Sequence, residues 1–132
     1  MKKSILPIIV AGVWITISEF IRNELLFKSL WVNHYKLLGL TFKTLPINGI
    51  FWFIWSIILA YLIYILMQKF SIIESLIISW LTAFIMMWLT IYNLQVLPLK
   101  LLIAAIPLSM LEVIVAGLII ERFKKYSSYT RH

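Results

Sequence analysis

The chain has 132 residues, 63% of them hydrophobic and only 13% charged, with a mean hydropathy of +1.00. A soluble domain of this length needs more polar surface to cover its core, so the surplus apolar side chains are expected to face lipid. The net charge of +7 is scattered over loops and termini. It forms no basic stripe interleaved with stacking aromatics, which argues against nucleic acid as a partner and matches the Lys and Arg that orient a membrane protein. The chain has no cysteine, so disulfides, thiolate metal sites, iron–sulfur clusters and CxxC redox chemistry are excluded. The two histidines, His34 and His132, leave a haem or metal inside a helical bundle without its usual ligands, and no cofactor is expected.

Met1, Lys2 and Lys3 before an apolar run imitate a secretory signal. No small-x-small cleavage site follows, and the run continues into Glu19, so it reads as a retained first span. Four apolar segments, about 5–26, 47–67, 72–93 and 99–120, are each close to the ~20 residues that cross ~30 Å of hydrocarbon. The expected fold is an all-α membrane protein, a four-transmembrane-helix bundle forming a single domain over 1–132, with a basic cytoplasmic tail at 121–132. Pro7, Pro46 and Pro98 sit near span starts, where a missing N–H costs little. Ser71 and Glu74 form a capping box for the third span. With the N-terminus cytoplasmic, that side collects Lys2, Lys3, Lys69, Arg122, Lys124, Lys125 and Arg131. The other side holds Lys28, Lys36, Lys43, Lys100 and, near the boundary, Arg22. This bias predicts both termini inside.

Between the first two spans, Trp31, His34, Tyr35 and Leu38 recur at i, i+3, i+4 and i+7. They predict a short helix over about 28–39 lying in the outer interface, with Trp31, His34 and Tyr35 as interfacial anchors. Each span also carries a stripe of small or polar residues. These are Gly12, Thr16, Glu19 and Asn23 in the first; Asn48, Trp52, Ser56 and Ala60 in the second; Ser79, Ala83, Met86, Thr90 and Asn93 in the third; and Ala105, Ser109, Glu112 and Ala116 in the fourth. Such stripes let helices approach closely and pair polar groups.

Of the five acidic residues, Glu74 belongs to the capping box, while Glu24–Lys28 and Glu121–Lys125 have the favoured i,i+4 order. Glu19 and Glu112 fall on inward stripes. Glu19 has Arg22 and Asn23 in its own helix. Glu112 has no basic neighbour in its helix near it, so it must be protonated, meet a cation from another helix, or line a wet cavity. Pro107, inside the fourth span, is expected to kink the helix beside Ser109 and Glu112. Counted along parallel axes, Arg22 and Glu112 lie roughly 12 Å apart in depth. A water or ligand is therefore expected between them, at the foot of an outer funnel lined by Asn23, Asn48, Trp52, Asn93 and Gln95.

The stretch LLFKSLWVNHYKLLGLTF, through Leu26, Phe27, Trp31, Leu38 and Gly39, resembles a pattern in uncharacterised bacterial four-span membrane proteins. That resemblance implies a bacterial inner membrane and no particular activity. A carboxylate in the first span is also similar to that of small multidrug-resistance transporters. The glycine-rich later helices of those proteins are missing, and only the mechanistic analogy is kept. The leading expectation is a small transporter or carrier binding a small polar or cationic solute, or a proton, at Glu112 with Glu19, Arg22, Asn23 and Ser109. The alternative is a non-catalytic lipid-binding or accessory subunit, in which Arg22 contacts a headgroup phosphate. An enzyme acting on lipids is disfavoured because no nucleophile–base pair or metal set is legible. Expected partners are the bilayer, a small solute, proton or lipid headgroup, and further copies of the chain in a homo-oligomer.

Overall fold

The computed structural model describes residues 5–129. Lys2, Lys3, Arg131 and His132 lie outside the described residues, as does the end of the basic tail. All regular structure among the described residues is helical, in five helices. α1 spans Leu6–Leu26, α2 Lys28–Leu37, α3 Pro46–Leu66 and α4 Ile72–Asn93. α5 covers Leu102–Tyr129 and is entered through a 3-10 turn at Leu99–Leu101.

Local chemistry accounts for the helix ends. Pro7 and Pro46 occupy the first turns of α1 and α3, where their fixed φ suits the helix and no N–H is missed. Ser71 Oγ accepts from the Glu74 backbone N–H, and the Glu74 carboxylate accepts from the Ser71 N–H at 2.9 Å, completing the expected capping box. α2 closes on Gly39, whose φ of +69° lets the Leu40 N–H reach the Tyr35 carbonyl. This left-handed position is one that glycine adopts without cost. α4 ends the same way with Gln95 at φ +61°, a position less usual for a side-chain-bearing residue.

α1, α3, α4 and α5 form a four-helix bundle in which α1 packs between α3 and α5, and α4 packs on α5 and α3. Gly12 lets α1 approach Ile57 on α3, and Gly117 lets α5 approach Leu76 on α4; a Cβ at either position would meet a side-chain carbon at 2.4 Å. The core holds Ala11, Ile15, Ile63, Phe84, Val113, Ala116 and Ile120, while Ile58, Ile73, Leu89 and Ile103 turn outward. Many large apolar side chains on the outside, around a core with small residues at its close approaches, is the arrangement expected in lipid.

The stripes differ in how they were realised. In α5, Ala105, Ser109, Glu112 and Ala116 are all buried. In α3, Ser56 and Ala60 are buried, but Asn48 and Trp52 are exposed, and the Asn48 amide donates to the Lys43 carbonyl in the preceding loop. In α4, Ser75 and Ser79 face inward but Met86, Thr90 and Asn93 do not; Phe84 and Trp88 replace them. A π-helical turn at Leu81–Ile85 explains the change. It adds a residue to the turn, so the inward positions run 75, 79, 84, 88 and the remaining 3.6-residue count points to the wrong face. The last helix also continues beyond 120, carrying much of the expected tail as helix to Tyr129. Pro107 lies within it, exposed, and the helix runs on past it without a break in its assignment.

Candidate functional site

Arg22 lies at the start of a second π-helical turn, Ile21–Leu26, which finishes α1. Its guanidinium is buried and forks between two helices. One nitrogen pairs with Glu19 on the same helix, and Nη1 donates to Glu112 Oε2 on α5 at 3.0 Å. The guanidinium also sits 5.1 Å from the ring centroid of Phe84, within cation–π range. Phe84 belongs to the π turn of α4, so the two π turns meet at this arginine. Glu19, Arg22 and Glu112 are each at most 5% exposed.

The remaining contacts extend this triad. Ser18 Oγ donates to Glu112 Oε2 at 2.7 Å, and Trp14 Nε1 donates to the Glu112 backbone carbonyl at 3.0 Å. Trp14, Ser18 and Arg22 are four residues apart in sequence, so they form one row along α1, and each of the three donates to Glu112. On the other side, Asn23 Nδ2 donates to Glu19 Oε2 at 2.8 Å, and its Oδ1 accepts from Trp31 Nε1 at 3.2 Å. A continuous polar chain therefore runs from Trp31 on α2 through Asn23, Glu19 and Arg22 to Glu112.

Arg22 and Glu112 touch directly, with nothing between them, contrary to the separation counted from depth. In a helix every Cα–Cβ bond leans toward the N-terminus. α1 and α5 run in opposite directions, so Arg22 leans back toward the bundle centre and Glu112 leans to meet it. Axial counting omits this convergence.

The expected funnel is met in part: Asn93 and Gln95 line a cavity at the α2 end of the bundle, and that cavity is not lined by the triad. This cavity, of about 610 Å³, is lined by His34, Tyr92, Asn93, Gln95, Leu97 and Leu99. A second, of about 370 Å³ at the opposite end, is lined by Met67, Ile72, Glu121, Lys124 and Lys125. Neither is lined by a triad residue. Asn93 thus belongs to the first cavity, and Asn48 and Trp52 to neither cavity nor triad. Ser109 serves a different contact: its hydroxyl accepts from Trp80 Nε1 at 2.9 Å and donates to the Ile106 carbonyl, tying α4 to α5.

The α2 aromatic face is folded onto protein. Trp31 stacks with Phe42 at 6.3 Å between centroids, Tyr35 meets the same ring edge-on at 5.1 Å, and His34 Nε2 lies 2.8 Å from the Gln95 carbonyl. Glu24–Lys28 and Glu121–Lys125 pair as expected. The sequence reading missed Trp14, Ser18 and Phe84. The i,i+4 relation of Ser18 to Arg22 was available as a signal for the first two, whereas Phe84 is displaced by the π turn and left none.

Two buried carboxyl groups share one guanidinium. Among the described residues, Glu112 Oε1 and Ser79 Oγ are the buried side-chain polar atoms with no hydrogen-bond partner. No group of three His, Cys, Asp or Glu that could hold a metal occurs among the described residues.

Four helices long and apolar enough to cross a membrane, closed around a buried charge triad, define a small integral membrane bundle. Comparison with protein-family models, curated proteins and solved structures found no match to this chain.

Proposed function

We propose that the chain is a small membrane carrier that takes up a proton, or a small cation, at the Glu19–Arg22–Glu112 triad. The observation that carries this reading is charge stoichiometry. With all three groups ionised, two carboxylates face one guanidinium, leaving one negative charge in surplus in a site shut away from solvent. An excess charge at such depth costs several kcal/mol (about 2.5–3.5 on the insertion scale). A proton shared between Glu19 and Glu112, or a cation at Glu112 Oε1, removes that excess and supplies the partner this oxygen lacks. Intramembrane ionisable residues commonly mark proton and ion pathways. The reading includes a bacterial inner membrane with both termini cytoplasmic, supported by Lys69, Arg122, Lys124 and Lys125 gathering at one end of the bundle.

The test is proton flux and solute uptake in liposomes containing the purified chain, with a pH-sensitive dye inside. Wild type is expected to dissipate an imposed pH gradient, alone or with one member of a panel of small cations. Glu112→Gln is expected to abolish this while the protein still elutes as a folded species. Equal fluxes from both proteins would overturn the reading. The accessory-subunit alternative is favoured by one observation: the triad clamps α1 to α5 and neither cavity opens onto it. Co-purification of a stoichiometric partner, lost on Arg22→Ala, would select that alternative.

A further inference from the structure

We infer that the cavity at the inner end of the bundle is a binding site for the phosphate of an anionic phospholipid. This inference does not depend on the triad. The cavity lies where α3 ends, α4 begins and α5 leaves the apolar zone. Its lining pairs an apolar floor, Met67 and Ile72, with an ionic rim of Lys124, Lys125 and Glu121. A lipid presents that pairing in the same order, acyl chain below and charged headgroup above.

The rim is organised before any ligand arrives. Lys124 Nζ donates to the Met67 carbonyl at 2.7 Å, at the C-terminal end of α3. This bond anchors the ammonium over the cavity and leaves two of its three N–H donors for an anion. Lys125 is held by Glu121 at 2.9 Å. Lys69 and Arg122 lie at the same end of the bundle, so among the described residues four cations meet the two carboxylates Glu74 and Glu121 there. Glu74 is already engaged by its capping box. The local surplus is therefore positive, beside an apolar surface, at the level where headgroups lie. Clusters of Lys and Arg at the ends of spans attract anionic lipid with about 1 kcal/mol per residue. An acidic protein segment would satisfy the charge but leave the apolar floor without a hydrocarbon partner, and free phosphate fails on the same point.

The experiment is native mass spectrometry of the full chain released from detergent after equilibration with phosphatidylglycerol, phosphatidylcholine or inorganic phosphate. Wild type is expected to retain one phosphatidylglycerol in preference to phosphatidylcholine, and inorganic phosphate is expected not to displace it. Lys124→Gln and Lys125→Gln should each weaken retention about five-fold. Lys124→Arg, which keeps both charge and donor, should bind as wild type. Lys100→Gln, removing the same charge at the opposite end, should change nothing. Equal retention of the two lipids, displacement by inorganic phosphate, or an equal loss in Lys100→Gln would overturn the assignment.

Discussion

Arg22 makes three kinds of contact at once, to Glu19, to Glu112 and to the face of Phe84. A lysine could supply the charge but not the planar fork that reaches two carboxylates. Breaking a buried ion pair by removing one partner leaves uncompensated charge, which costs about 3–5 kcal/mol, whereas replacing the whole group with apolar or neutral residues is often tolerated. Arg22→Ala is therefore expected to lose stability of that order in thermal unfolding of the detergent-solubilised protein. The triple variant Glu19→Gln, Arg22→Met, Glu112→Gln should recover most of it while remaining inactive in the flux assay. If the single variant melted with wild type, Arg22 would not be what holds the two carboxylates. At this scale the sequence was informative about need and silent about geometry. An unpaired acid inside a span demands a partner, and Arg22, three residues from the inward Glu19, was the candidate cation. That the contact is direct followed from Cβ tilt in antiparallel helices, which an axial count omits. Ser18 and Trp14, one and two turns before Arg22, were signalled by their i,i+4 spacing, but only the fold shows that the row faces α5.

The helices themselves were legible because span length, proline position and the Ser71–Glu74 box are local properties. The two π turns were not, since nothing in LTAFI or IRNELL departs from ordinary helical composition. Their consequence is large: each advances the inward face by a residue, which turns Met86 and Thr90 outward and brings Phe84 and Trp88 in. A π turn amounts to one residue inserted in an α-helix. Deleting Thr82, an exposed residue in that turn, should let it relax to regular α-helix with Phe84 and Trp88 still directed inward. The Thr82 hydroxyl lies 2.8 Å from the Ile78 carbonyl and 3.1 Å from that of Ser79, so the deletion removes only local bonds. Deleting Ile77 from the regular helix should instead rotate all that follows by ~100° and prevent folding. Comparison of monodisperse yield on size exclusion separates the cases. Equal yields from the two deletions would show that the π turn is not setting the register.

Across the whole molecule, the charge pattern distinguishes the two ends and the apolar exterior sets the solvent. The ends differ in chemistry: Lys69, Arg122, Lys124 and Lys125 gather at one, and Lys28, Lys36, Lys43 and Lys100 are distributed over the other. The proposed orientation, with the first end cytoplasmic, rests on the positive-inside rule. The chain contains no cysteine, so thiol labelling reports one introduced position at a time. Lys43→Cys should react with an impermeant maleimide on intact cells, and Tyr126→Cys only after the membrane is opened. The reverse pattern would invert the assignment.

The sequence by itself determined the solvent, the number of spans, most helix ends and the fact that Glu112 needed a partner. Each of these depends on composition or on residues a few positions apart. The tertiary structure alone decided that Arg22 is this partner by direct contact and that Ser109 belongs to Trp80. It also put Asn48 and Trp52 outside the site and left the triad closed to both cavities. Those outcomes depend on which helix faces which and at what depth. Two inserted π residues and the opposed lean of side chains in antiparallel helices set that register, and neither leaves a mark in local sequence.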